Sequence, residues 1–515
     1  MPDGVQGLQL NELQVVSDLH LGGQQGFQIF GSTQELVWLI NSVRTSATVG
    51  SAALLINGDF IDFLAEEPAL GFDPAGAPAK IARVLADATF APVFAALHDL
   101  LATPDRLLII NLGNHDLELA LPAARDLLTL ALCGSDAAAR TRLLWVTDGT
   151  GVRCLVGSTS VLCLHGNEID AWNVTDHEHL RRLTRDLQYG QPAPDWMPNA
   201  GSQLVVEVMN QVKKSYPFVD LLKPETSAVV PILTALNPQL LRRVTDLAGI
   251  ASRTAADAAR MATGFLSAEA PGPGGPGSPG GAGGPGGSGI GLTNPALQAA
   301  ADAASWATRP GALPAESAQA LLDQAEQLFR DGVEPISLVR GSQSDQLSVW
   351  SAALDLLRGK PRQTVLRQAL EFLDADRSFD TGAPDSTFKQ FDAKVSSGIS
   401  LLLTGHTHLA KSLARSQGGG HYFNSGTWAR LMRITPEVRQ SETLFAALFD
   451  SLGKGTLTDL DRAGGPVLRR NTVVAIWADP KRGTQAELRE VHALDAQHCQ
   501  IVALPGTRYP KPAAA

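Results

Sequence analysis

Five short stretches of this 515-residue chain end in side chains that bind cations: Asp18 with His20, Asp59, Asn114, His165, and His406 with His408. Carboxylate, amide and imidazole donors without thiolate suit Mn²⁺ first, with Fe or Zn²⁺ as alternatives, and not a structural cysteine-bound zinc. Seven groups exceed what one tetrahedral or octahedral ion needs once water fills part of its shell. Two divalent cations roughly 3.5–4 Å apart, bridged by a carboxylate, would use the whole set, and such pairs serve in-line displacement at phosphorus. Asp59 is the expected bridge.

Each of these residues sits at or just after the end of an apolar run that reads as a strand: 13–17, 52–57, 107–112, 160–167 and 399–405. On an extended segment, residues two apart point the same way, so Asp18 and His20 are expected to grip one cation and His406 and His408 to share a face. Helical patterns at 33–45 and 79–101 alternate with the first strands, which indicates a layered α/β sheet whose carboxyl edge carries the ligands. The runs at 142–146, 152–156 and 160–167 follow with little helix between them, so a second sheet is expected to begin there.

The texture changes over 176–398. Amphipathic helical patterns cover 176–188, 202–222, 228–264, 295–308, 314–331, 344–358 and 361–375. A Gly/Pro/Ser tract at 270–291 interrupts them, and a flexible loop over about 267–293 is expected there, since such a tract buries nothing. Strand-like runs resume at 399–405, 421–428, 471–479 and 486–494, with an irregular connection over 455–469. The expected organisation is a core built from 1–175 and 399–515, split by a mainly helical insertion over 176–398.

Composition narrows the partners. Hydrophobic residues make up 44% and charged residues 18%, which is globular, and the net charge of -10 argues against binding by broad neutralisation of a nucleic-acid backbone. Cys133, Cys154, Cys163 and Cys499 show no CxxC spacing and read as reduced thiols. The first residues lack a basic segment leading into an apolar one, and no run is long enough to span a membrane, so a cytoplasmic location is expected. Mixed charges in the insertion disfavour strong binding to an anionic membrane, while a peripheral contact and any oligomeric state stay open.

The order Asp18-Leu19-His20, Gly58-Asp59, Gly113-Asn114-His115-Asp116, His165-Gly166 and Gly405-His406-Thr407-His408 resembles the calcineurin-like metallophosphoesterase superfamily. Asn424-Ser425-Gly426-Thr427 is similar to the turn that follows the last histidine pair there, and the likeness covers roughly 12–175 and 398–494. A lone Asp-x-His is a weak signal. Five blocks in this order, each after an apolar strand, are a strong one. The resemblance implies a four-layer αββα sandwich, here with the large insertion, acting on a phosphate-ester substrate. It also implies that Asp18, His20, Asp59 and His408 hold one cation, and that Asp59, Asn114, His165 and His406 hold the other. A hydroxide bridging the cations would attack phosphorus, His115 would contact the phosphate or protonate the leaving oxygen, and Asp116 would orient the His115 ring.

Within the superfamily, the stretches at 17–22 and 58–64 look most like the branch containing UDP-2,3-diacylglucosamine hydrolases. His115 stands where that branch commonly carries Arg, Gly166-Asn167 where it carries Gly-Asp, and the insertion is far longer, so that substrate is not carried over. The reading is hydrolysis of a phosphomonoester or phosphodiester of a small or lipid-linked molecule under a helical cap. The alternatives are a nuclease, a phosphoprotein phosphatase, or a scaffold with a degenerate site.

Other residues weigh differently. Arg181, Arg182 and Arg185 could clamp a substrate phosphate, against a plain solvated helix face. Asp62 reads equally as support behind the ligands or as a cap after its strand. His177 and His179 read as a solvated helix start, and His98, His421, His492 and His498 as structural. Asn424 is expected to fix the turn beside His408. Trp196, Tyr216, Phe218, Trp306 and Trp350 are expected in cores.

Overall fold

The computed structural model describes residues 6–510 except 171, 193–194, 224–231, 233–235, 237–360, 372, 374–375, 455–456, 458–459 and 461–466. The Gly/Pro/Ser tract, the helical patterns at 295–308, 314–331 and 344–358, nearly all of that at 228–264, and Trp306 and Trp350 lie outside the described residues.

Two sheets form the body. The strands are β1 (Gln6–Leu10), β2 (Glu12–Val16), β3 (Ala52–Asn57), β4 (Arg106–Asn111), β5 (Leu143–Val146), β6 (Val152–Val156), β7 (Thr159–Cys163), β8 (Leu401–Thr404), β9 (Lys411–Ala414), β10 (His421–Asn424), β11 (Leu431–Met432), β12 (Val467–Leu468), β13 (Thr472–Asp479), β14 (Gly483–Ala493) and β15 (Cys499–Ala503). One sheet runs β15-β14-β13-β2-β3-β4-β5, the other β1-β6-β7-β8-β10-β9, and β11 pairs with β12 separately. In the first sheet β2 to β5 are parallel and in register, Val16 opposite Ile56, Ile56 opposite Ile110 and Ile110 opposite Trp145. Parallel pairing needs crossover connections, and α1 (Thr33–Arg44), α2 (Ala77–Ala86), α3 (Ala91–Ala102), α4 (Pro122–Cys133) and α5 (Ala137–Arg142) lie between these strands in the chain.

The layers follow from the period-2 alternation of the strands. Leu13, Val15, Ala53, Leu55 and Ile109 face a core shared with Val161, Cys163, Leu401, Leu403 and Phe423 of the second sheet. Their neighbours Val16, Leu54, Ile56, Leu108 and Ile110 face outward onto α1 to α4 through Leu36, Ile40, Ile81, Leu97 and Leu128. On the far side Leu402, Leu413 and Tyr422 pack against Phe391 of the helix Ser386–Lys394. Helices, sheet, sheet and helix are thus stacked in four layers. Because both faces of β3 are covered, all six of its residues are buried.

Three expectations change. The run at 142–146 does not open the second sheet: β5 adds to the edge of the first, parallel to β4, and the second sheet starts from the hairpin β6–β7 joined to β1. Short spacing between strands could not reveal this, because a hairpin and a hop between layers look alike in sequence. The pattern at 79–101 is two helices meeting at 95°, broken over 87–90, since Pro92 cannot sit inside a helix without losing a backbone bond and starts α3 instead. The pattern at 202–222 is likewise broken, into Ala200–Leu204, a π turn Val205–Met209, Asn210–Lys213 and a 3₁₀ turn Pro217–Leu221.

A separate cluster joins the insertion to the later chain. Phe218, Val219, Leu221 and Leu222 pack with Leu366 and Leu370, and also with Met432, Phe445, Leu448 and Leu452. The helix Glu442–Lys454 therefore shares a core with residues from both 209–222 and 366–370, which the sequence places before residue 398. The helix α6 (His177–Gln188) instead packs Leu180 and Leu183 onto the main core. Trp196 stacks on Phe72, 4.8 Å between ring centres, and Phe218 is fully buried. No single described helix is long and apolar enough to cross a membrane; α2 and α3 together reach that hydropathy, but both bury their apolar faces here.

One buried acid beneath the sheet edge gives a pH test. Glu118 accepts a hydrogen bond from the Asp73 amide at 2.9 Å, beside the Lys80–Asp73 ion pair at 3.3 Å. Burial raises its carboxyl from 4.5 to about 7, against the opposing pull of that amide and of Lys80. The folded state then holds the proton more tightly than the unfolded one, so this contribution to stability is present below pH 4.5 and lost as pH rises through about 7. Glu118→Gln keeps an oxygen for the amide and has no charge to bury. Its Tm relative to wild type is expected to climb between pH 5 and pH 8.5, with about 3 kcal/mol as the ceiling. Parallel Tm curves for the two proteins over that range would reject the assignment.

Candidate metal centre

The carboxyl ends of β2, β3 and β4 in one sheet, and of β7 and β8 in the other, come to the same edge. Beyond the strands the loops stay zipped together: Asp18 N–H donates to Gly58 O at 3.1 Å, His20 N–H to Asp59 O at 2.9 Å and Leu21 N–H to Phe60 O at 3.0 Å. The backbone there is not extended. Among the described residues seven non-glycine positions have left-handed φ, and five are candidate ligands: Asp18 (54°), His20 (49°), Asp59 (52°), His406 (66°) and His408 (63°). Such backbone costs on the order of 1–3 kcal/mol per residue and persists only where the surroundings hold it. Here Thr427 Oγ1 donates to Asp18 O at 2.7 Å, and Asn424 Nδ2 donates to Gly405 O at 2.7 Å and Thr407 Oγ1 at 3.1 Å. Asn424 thus ties down the loop beside His408, as expected from sequence.

The expected extended geometry is corrected accordingly. Asp18 and His20 converge from a left-handed segment, and His406 and His408 fall in different groups of donors and do not share a face. The donor atoms of Asp18, His20 and His408 lie within 4.8 Å of one another, and those of Asp59, His165 and His406 form a second such group. Asp59 stands between the groups: its Oδ2 is 3.3 Å from His165 Nε2 and 3.7 Å from His20 Nε2. Glycine is required beside it. A Cβ on Gly113 would strike Asp59, and one on Gly58, whose φ is +90°, would strike the His165 ring.

The hydrogen-bond pattern leaves lone pairs aimed inward. His165 Nδ1 is 2.8 Å from Asn57 O; donating there leaves Nε2 unprotonated, and that buried atom has no partner. Asn57 is itself held, accepting from Asn111 Nδ2 at 3.0 Å and donating to Leu164 O at 2.7 Å. Asn114 Oδ1 is also buried without a partner, and His20 Nε2 and His408 Nε2 face each other at 3.0 Å. Buried polar atoms are nearly always satisfied, so the orphaned His165 Nε2 and Asn114 Oδ1 fit a divalent cation. Burial pulls the His165 imidazole down, but without a cation the Asp59 carboxylate outweighs it and lifts the group to about 10, so a cation that takes the Nε2 lone pair must displace a proton. His408 goes the other way, to about 4, through burial and the nearby Lys223 cation.

His115 Nδ1 lies 3.1 Å from Asp62 Oδ1, while Asp62 Oδ2 is 3.5 Å from His20 Nδ1. Asp62 also accepts from the amides of Leu64 and Ala65, both at 3.1 Å, so it is a cap and a support at once. The ring-orienting contact expected of Asp116 is therefore made by Asp62. Asp116 instead accepts the amides of Gly113 and Phe60, each at 2.7 Å, and locks the two ligand loops together. A neighbour in sequence cannot turn back onto the adjacent ring once its carboxylate is committed to those amides. Burial lowers the His115 imidazole, but the charges of Asp62 and Asp59 prevail and raise it to about 9.

The remaining candidates fall elsewhere. Arg181 pairs with Glu178 at 2.9 Å and Arg185 with Asp186 at 2.8 Å, and these two and Arg182 are exposed on α6, whose other face carries Leu180 and Leu183. That arrangement favours the solvated face over a phosphate clamp. His179 packs on Trp196, 5.1 Å between ring centres, and His177 is half-buried beside Gly149. His98, His421, His492 and His498 contact Leu132 O, Ser412 Oγ, Glu490 and Asp495 respectively. Sequence reasoning missed Asp170 and Asn173, which stand behind His406 and Asn114. Their only signal was a run of polar residues shortly after His165.

Residues 14–227 match the family model of the calcineurin-like phosphoesterases. No curated protein and no solved structure matches the chain. The family match takes in Asp18 through His165, and the fold carries His406 and His408, from outside it, to the same edge. Residues 14–227 are thus similar to the calcineurin-like phosphoesterases, a group of metal-dependent hydrolases of phosphoric esters.

Proposed function

We propose that the centre holds two divalent cations, one among Asp18, His20, Asp59 and His408 and the other among Asp59, Asn114, His165 and His406. The observation that carries this is the single Asp59 oxygen facing a histidine of each group, at 3.3 Å and 3.7 Å. Mn²⁺ is the first choice by donor type, with Fe or Zn²⁺ as alternatives. Cations held there supply Lewis-acid polarisation of the phosphoryl group and a water acidic enough to act near neutral pH. The chain's own part is to hold and move a proton. Asp62 holds His115 by Nδ1, which leaves Nε2 to protonate the leaving oxygen.

The substrate in this reading is a small or lipid-linked phosphomonoester or phosphodiester, bound beneath a cap formed by 176–398 on a core of 1–175 and 399–515. The cytoplasm is the proposed compartment; all four cysteines are free thiols, as a reducing environment leaves them. Chelator-treated protein should lose hydrolysis of p-nitrophenyl phosphate and bis-p-nitrophenyl phosphate. Mn²⁺ should restore it, saturating at two equivalents per chain. Activity that survives chelation, or saturates at one equivalent, would count against the paired centre. A panel of nucleotides, lipid phosphates, DNA and a phosphoprotein then sets the class, and faster turnover of DNA or phosphoprotein would replace the small-molecule reading.

A further inference from the structure

We infer that Asp170 and Asn173 form one positioning unit for the second cation, Asp170 fixing the ring of His406 and Asn173 the amide of Asn114. The inference rests on the two-cation reading above. Both residues lie in the segment that follows His165, after a 3₁₀ turn over Asn167–Ile169. Asp170 Oδ2 is 2.8 Å from His406 Nε2 and accepts Asn173 Nδ2 at 2.7 Å, and Asn173 Oδ1 accepts Asn114 Nδ2 at 3.4 Å. A hydrogen-bonded chain thus runs His406–Asp170–Asn173–Asn114, and both of its ends are ligands assigned to the same cation.

Its direction is fixed by chemistry. An ionised carboxylate only accepts, so His406 must carry its proton on Nε2, which leaves the lone pair on Nδ1. Asn173 spends its amide N–H on Asp170, so its oxygen faces Asn114 and takes that residue's N–H. Asn114 must then turn its own oxygen away from the chain, and that Oδ1 is the buried atom without a partner. One carboxylate therefore sets the orientation of an imidazole and, through one amide, of a second amide. Partners behind a ligand commonly act this way and are worth about 10- to 100-fold in metal affinity.

The unit is itself braced. Asp170 Oδ1 accepts the Trp172 amide at 2.9 Å, and Asn173 O accepts Asn167 Nδ2 at 2.9 Å and Asn199 Nδ2 at 3.3 Å. Gly201 N–H donates to Trp172 O at 2.8 Å, and a Cβ at Gly201 would strike Asn173 Oδ1. Asn199 and Gly201 of the insertion are thereby keyed to the segment behind the second cation's ligands.

The test is a Mn²⁺ titration of the full chain by calorimetry, with metal analysis after dialysis. Wild type is expected to bind two equivalents. Asp170→Ala should weaken one of them about 10- to 100-fold and leave the other unchanged. Asp170→Asn, whose oxygen can still accept from Nε2, should recover most of the loss. His406→Ala should weaken the same equivalent, and Asp170→Ala/His406→Ala should be weaker than His406→Ala by no more than the several-fold carried through Asn173. Asn173→Ala, which leaves the Asp170–His406 contact in place, should weaken that equivalent several-fold and serves if Asp170→Ala does not fold. Two equivalents at wild-type affinity in both Asp170→Ala and Asn173→Ala would overturn the assignment alone, as would equal weakening of both equivalents or additive losses in the double variant. A wild-type chain that takes up one equivalent overturns the two-cation reading and this assignment with it.

Discussion

Replacing Asp59 by Asn is expected to cut hydrolysis of bis-p-nitrophenyl phosphate on the order of 10³-fold or more while the chain stays folded. The size follows from position: Asp59 faces both histidine groups, so the change removes a negative charge from both proposed cation sites at once. Removing one preorganised donor of transition-state charge costs about 10²–10³-fold, and loss of a carboxylate shared by the two proposed sites should exceed that. The fold survives because the isosteric amide oxygen can keep the His115 amide bond, 2.9 Å from Asp59 Oδ1. The new NH₂ then points at His165 Nε2, where a donor in place of a carboxylate opposes a cation. Mn²⁺ titration of the variant should show both equivalents weakened, in contrast to the single equivalent expected at Asp170. Wild-type rates from a folded Asp59→Asn protein would sink the catalytic reading.

His115→Gln separates proton donation from cation chemistry. Positioned acids contribute about 10²–10⁴-fold, and only where the leaving group needs a proton. Nitrophenolate leaves without one; an alkoxide does not. The variant should therefore lose about 10²–10⁴-fold on an alkyl phosphodiester and less than about 10-fold on bis-p-nitrophenyl phosphate. The groundwork is in the geometry: Asp62 and Asp59 keep the imidazole protonated at neutral pH, with its pKa near 9 despite burial. The ring is also partly open, at 19% side-chain exposure, where the candidate ligand His165 is at 0%. Equal losses on the two substrates would mean that His115 acts by binding phosphate and not by donating a proton.

The fold was legible where period and length agreed. The strands over 52–57 and 107–112 are apolar except at Asn57 and Asn111 because both faces are covered, and the sequence shows that directly. The assignment of 142–146 to a sheet was not legible, because nothing local distinguishes an edge strand of one layer from the first strand of the next. The second core was hidden for a related reason: Phe218 and Phe445 lie far apart in the chain and meet only through tertiary packing.

At the site, the sequence by itself determined which side chains could act, since residue type, order and position after apolar strands are local properties. The glycines at 58 and 113 are read from the sequence as positions only, since the crowding that demands them comes from His165 and Asp59 on other strands. Only the tertiary structure decided how those side chains are used. Left-handed backbone at Asp18, His20, Asp59, His406 and His408 is held by bonds between loops from different strands, so His406 and His408 part to different groups although they are two residues apart. The same holds for the supporting carboxylates: Asp62 took the His115 ring, Asp116 the loop amides, and Asp170 the His406 ring. A carboxylate's partner is whichever donor the fold brings within 3 Å or so of it, and spacing along the chain does not encode that distance.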